Sequence, residues 1–147
     1  MRRDQFTAAV QDLSSDSPTI DIVYDGPEDE LDNRLREEGE PLTATDLDAA
    51  FRLLASSEAG ESTASEGVFS LTNRLTGAYL LEVNIDADRM RELVAAAREV
   101  DDDARYRIRI RIDRDESVIY EMSALFVYNS EGKLLRQRSL IPSGVEL

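Results

Sequence analysis

Arg105, Arg107, Arg109 and Arg111 occupy alternate positions in the run ARYRIRIRID. Side chains of an extended strand alternate between faces. The four guanidinium groups therefore share one face, and Tyr106, Ile108, Ile110 and Ile112 share the other. Such a stripe can grip phosphate or another anionic ligand. It can equally be a solvent face whose arginines pair with acids on neighbouring strands, for which Glu82 and Glu121 are candidates. No aromatic residue interleaves with the stripe on its own face to stack a base. These four arginines are the candidate ligand-binding set.

Asn84, Asp86 and Asp88 follow the spacing that opens a calcium loop. The loop's glycine position holds Arg89 and its bidentate glutamate position holds Ala95, so a helix cap with a first-turn acid is the simpler reading. The run Asp101-Asp102-Asp103 reads as solvated acids that stop a helix, because carboxylates oppose the dipole at a C-terminus. No metal site and no cofactor is predicted.

The chain contains no His, Cys or Trp. That removes imidazole bases, His-ligated metals, thiolate nucleophiles, disulfides and zinc or iron–sulfur centres. The Ser and Thr residues fit neither G-x-S-x-G nor S-x-x-K, and there is no P-loop or G-x-G-x-x-G. Paired carboxylates are the remaining acid–base resource. With 31 acids among 147 residues, close pairs arise by chance. Tyr24, Tyr79, Tyr106, Tyr120 and Tyr128 read as core or rim residues. The balance leans away from an enzyme.

Seventeen basic residues against 31 acidic ones give a formal charge of −14, and Lys133 is the single lysine. An Asp-rich, Lys-poor surface suits multimolar salt, where the Debye length falls to about 3 Å at 1 M and repulsion among acids is screened. The competing reading is a low-salt protein whose field repels nucleic acid or captures a basic partner. On the high-salt reading the charge describes the solvent rather than a partner, and the arginine stripe is the one local departure from it. The opening Met1-Arg2-Arg3-Asp4 lacks the apolar run of a signal peptide, and no segment has the length of apolar sequence that spans a membrane. Neither a signal peptide nor a membrane span is expected.

The elements that position these residues read mainly as strands. Residues 5–13 and 19–24 alternate and form a hairpin through the Ser14–Pro18 turn. Residues 27–38 form a short, weakly docked helix ending at Gly39, with Leu31 and Leu35 as its apolar residues. Residues 46–55 fit either a strand or a helix, with the strand preferred. Residues 56–66 are an acidic, solvated loop. Residues 67–74 and 78–85 make a hairpin turning at Leu75-Thr76-Gly77. Asp86 caps a helix over 86–100 whose stripe is Met90, Leu93, Val94, Ala97 and Val100. Strands over 104–113, 117–128 and 133–140 follow, with turns at Asp115-Glu116 and Asn129–Gly132. The last residues form an exposed tail, although Val145-Glu146-Leu147 could add to a groove or sheet edge.

About eight strands and two helices in one domain over 1–147 predict an α+β fold, mainly antiparallel β with one long amphipathic helix. The alternative is an immunoglobulin-like β-sandwich. Asp103-Ala104-Arg105-Tyr106 is similar to the tyrosine corner of those domains, although their second cysteine would fall at Ile108.

Met1-Arg2-Arg3-Asp4, Thr72-Asn73-Arg74, Ala96-Ala97-Arg98-Glu99 and the stretch from Arg136-Gln137 to Ile141-Pro142-Ser143-Gly144-Val145-Glu146-Leu147 resemble a family of uncharacterised haloarchaeal proteins over nearly the whole chain. The resemblance implies a cytoplasmic protein of an extreme halophile and favours the strand reading of 47–54. It carries over no activity and no site residue. The leading functional expectation is a non-enzymatic binding or assembly domain with a protein partner or a second copy. A small-ligand or nucleic-acid binder using the arginine strand comes second, with nucleic acid disfavoured in salt. A carboxylate- or metal-dependent enzyme comes last, and no membrane partner is expected.

Overall fold

The computed structural model describes residues 5–14, 17–26, 28–37, 39–54, 66–100, 105–111 and 117–140. The acidic loop up to residue 65, the Asp101–Asp103 run, the Asp115-Glu116 turn and the tail from residue 141 lie outside the described residues.

The first sheet joins β1 (Phe6–Gln11), β2 (Thr19–Tyr24), β8 (Tyr106–Arg111) and β9 (Ser117–Met122) in the order β1-β2-β8-β9. The second joins β5 (Leu47–Leu53), β6 (Glu66–Asn73), β7 (Tyr79–Asp86) and β10 (Phe126–Tyr128) in the order β10-β5-β6-β7. Most pairings are antiparallel. β2 with β8 and β5 with β10 are parallel. With α1 (Glu28–Arg34) and α2 (Ala87–Val100) the fold is α+β, and residues 47–53 are a strand. The two sheets are shared with the sandwich alternative, but the long helix and this strand order are not those of an immunoglobulin domain.

Alternation decides which faces are buried. Registered rows such as Ala8-Ile22-Ile110-Val118 and Val10-Ile20-Ile108-Tyr120 line the inner face of the first sheet. Phe51, Phe69 and Val83 form one such row in the second. Ile20, Ile22, Ile108, Ile110 and Phe69 are fully inaccessible. β1 lies against β7, and α2 closes over that junction with Met90, Leu93, Val94 and Ala97 buried. Arg89 Nη2 donates to the Val10 carbonyl at 2.7 Å, tying the helix to β1. None of the described helices is long and apolar enough to cross a membrane.

Three expectations are corrected. The helix expected over 27–38 ends at Arg34, and a small hairpin of β3 (Arg36–Glu37) and β4 (Glu40–Pro41) follows it. Gly39 at φ 85° supplies its turn. The helix is well docked, since Leu31 and Leu35 are buried. The long strand over 117–128 breaks at Ser123–Leu125, where the chain leaves the first sheet for the second. Residues 133–140 form isolated bridges and a 3-10 turn at Arg136–Arg138 rather than a strand. Among the described residues the strand count therefore rises to ten.

Tyr106 explains how the crossover is held. Its hydroxyl donates to the Ala124 carbonyl at 2.7 Å, 18 residues downstream. A tyrosine corner bonds a few residues upstream instead. Burial pushes this phenol far above the ordinary tyrosine range.

Candidate functional site

β8 places Arg107, Arg109 and Arg111 on the outer face of the first sheet, because Ile108 and Ile110 take the inner one. Arg105 precedes the strand and is exposed. The neighbours are set by register. Across the parallel pairing, Asp21 lies opposite Arg109 and Val23 opposite Arg111. Across the antiparallel one, Glu121 lies opposite Arg107 and Ile119 opposite Arg109.

Asp21 is the centre of this ladder. Its carboxylate accepts from Arg109 Nε and Nη2, both at 3.2 Å, and from Arg111 Nε at 3.2 Å. The side chain is only 6% exposed, against 28% for Arg109 and 49% for Arg111. Burial pushes the carboxyl up, but the two guanidinium groups outweigh that and hold it below the ordinary Asp value. Arg107 Nη2 contacts Glu121 at 3.3 Å. Arg109 Nη2 also reaches Gln11 Oε1 at 3.5 Å.

Glu121 was foreseen as a partner in sequence. Glu82 lies on β7 in the other sheet, and Asp21 was not foreseen. Asp21 and Glu121 bond to the three arginines, and the charge of Asp12 also acts on Arg109, so several acids offset the positive charge of the ladder. Val23 and Ile119 flank it, 45% and 51% exposed. The face is thus an arginine ladder held in place from below and bordered by two open aliphatic side chains.

The calcium-like spacing is a cap. Asp86 Oδ1 accepts from the Asp88 amide at 2.8 Å at the start of α2. Among the described residues no group of three His, Cys, Asp or Glu is placed to hold a metal ion.

A second feature has no counterpart in the sequence reading. A cavity of about 120 Å³ opens between α2, β5, β10 and the 3-10 turn, over Phe51, Val127, Met90 and Val94, and Arg91, Arg98 and Arg138 line it as well. Arg91, Val94, Ala95 and Arg98 fall at i, i+3, i+4 and i+7, which is one helix face. That spacing was the available signal, but the wall it faces is assembled from β5 and from residues beyond 125.

Comparison with curated proteins gives no match, and comparison with solved structures gives none. A family model matches residues 1–147. The chain belongs to a family of unknown function, DUF5793, over its full length.

Proposed function

We propose that this chain is a non-enzymatic binding or assembly domain of a high-salt cytoplasm, docking on a protein through the outer face of its first sheet. The observation that carries the reading is the exposure of Val23 and Ile119 beside Arg109 and Arg111. Arginine is enriched at protein interfaces, and the exposed aliphatic side chains beside it offer apolar area that docking removes from water. Asp21 orients two of the arginines in advance, so less side-chain freedom is lost on docking.

The complementary surface is acidic and partly apolar. A second copy of this −14 chain supplies acids, which makes self-association the first case to test. The Asp-rich, Lys-poor composition supports a saline habitat and, with the sequence resemblance, a haloarchaeal source. In such salt the contact depends on short-range packing rather than on long-range attraction.

Static light scattering in molar KCl tests the reading. Association at micromolar concentration that is lost in Ile119→Asp, with the variant still folded by circular dichroism, supports it. A strict monomer with no captured partner, or association indifferent to Ile119→Asp, refutes it. Oligonucleotide binding is the disfavoured alternative, because Asp21 and Glu121 offset part of the ladder's charge and high salt screens attraction to phosphate; filter binding at low and high salt checks this.

A further inference from the structure

We propose that the cavity between α2 and the second sheet is a binding site for a small apolar carboxylate, one with a compact aromatic or branched aliphatic body. The argument begins with composition. Acids outnumber bases 31 to 17 in the chain. Yet the charged residues lining this cavity are Arg91, Arg98 and Arg138, and no acid lines it among the described residues. All three are guanidinium groups, and Arg138 on the 3-10 turn brings positive charge beside an apolar space, which suits an anionic head group on an apolar body.

The three arginines are differently held. Arg98 Nη2 donates to the Ser139 carbonyl at 2.7 Å, which fixes it beside the 3-10 turn. Arg91 Nη1 lies 3.4 Å from Asp88 Oδ1, an exposed pair that is readily exchanged. Arg138 has no ion-pair partner among the described residues and is exposed. A guanidinium with unused donors in a fork is suited to bidentate capture of a carboxylate.

The body of the ligand is set by the remaining lining. Phe51, Val127, Met90 and Val94 are each at most 5% exposed and offer no hydrogen-bonding side chain except a weak thioether. Comparable apolar voids of about 150 Å³ accommodate benzene, so about 120 Å³ admits one ring or a branched chain of similar bulk and excludes larger groups. An apolar pocket with a few convergent polar groups is the usual form of a small-ligand site. The site is separate from the arginine ladder, which lies on the outer face of the other sheet.

Isothermal titration of the full chain with benzoate tests the proposal, with acetate and benzyl alcohol as probes lacking the body and the charge. Saturable one-to-one binding of benzoate is expected, with both other probes weaker by at least about tenfold. Arg138→Gln, an exposed position, should weaken benzoate by about tenfold. Val94→Phe should abolish binding by filling the cavity, and amide NMR spectra should confirm that it stays folded. An unfolded Val94→Phe leaves the decision to Arg138→Gln. No saturable binding of benzoate, equal affinity for benzyl alcohol or acetate, or benzoate binding unchanged by Arg138→Gln would overturn it. Since Ile119→Asp lies on the other sheet, it should leave benzoate affinity intact, so the two sites fail separately.

Discussion

Asp21 and Arg109 face each other across the parallel pairing of β2 and β8, joined by two hydrogen bonds of 3.2 Å although 88 residues apart in sequence. A third bond from Arg111 makes the carboxylate the common partner of two rungs of the ladder. The pair sits at the middle of the sheet, so it holds register as well as charge.

Asp21→Asn should destabilise the fold by about 1–3 kcal/mol at pH 7, since it removes charge-assisted bonds from partners that can still reach water. The folded carboxyl is held below its unfolded value, near 3.9. Its contribution is therefore complete above about pH 4 and is lost as pH falls through the folded value. Urea unfolding from pH 7 to pH 2 should show an acid limb in the wild type that is shallower in the variant. Identical curves would mean that the ladder is ornamental.

Gly67 and Phe51 are neighbours by necessity. A Cβ at residue 67 would stand 2.2 Å from Phe51 Cζ and 2.7 Å from the Arg52 carbonyl oxygen. Gly67→Ala should lose about 1–3 kcal/mol through overpacking. Phe51→Leu in the same chain should recover part of that loss, and a double-mutant cycle measures how much. Because Phe51 also lines the cavity, Gly67→Ala should weaken benzoate binding.

Tyr106→Phe keeps the ring and removes the donor to Ala124, so a loss of about 1–2 kcal/mol is expected in chemical denaturation. Tyr120, also raised by burial, is pushed up to about 12. Raised folded values mean that this stabilisation holds below the unfolded value near 10 and disappears as pH rises through the folded ones. Absorbance titration should show Tyr106 and Tyr120 ionising together with alkaline unfolding rather than before it.

Asp86→Ala removes the cap of α2 and should cost about 0.5–2 kcal/mol, whereas Asp86→Asn should retain most of it. Thermal melts of the two variants separate a capping role from a charge effect. Equal losses would favour the helix dipole over the hydrogen bond.

Strand alternation made much of the fold legible. Phe6 to Val10, Ile20 to Tyr24 and Tyr106 to Ile110 each display a two-residue period, and each buries the expected face. The break after β9 is legible in the same period. Tyr120 and Met122 are buried at even positions, Leu125 and Val127 at odd ones. A strand cannot change phase without leaving its sheet or bulging, so Ser123-Ala124 marks the crossover. Residues 133–140 misled because Leu134, Leu135 and Leu140 suggested a strand, whereas Ser139 and Arg98 hold that segment by side-chain bonds.

The arginine ladder divides the two kinds of information. Local alternation alone puts Arg107, Arg109 and Arg111 on one face, because consecutive peptide units in a strand rotate side chains by half a turn. Which acid would neutralise them depended on which strand came to lie beside β8, and that is a parallel contact between distant segments. The cavity goes further in the same direction. Its arginines come from α2 and from the 3-10 turn, its floor from β5 and β10, and only packing of the whole chain brings them together. Short-range periodicity is written in each segment, while charge neutralisation and enclosed space are properties of the assembled surfaces.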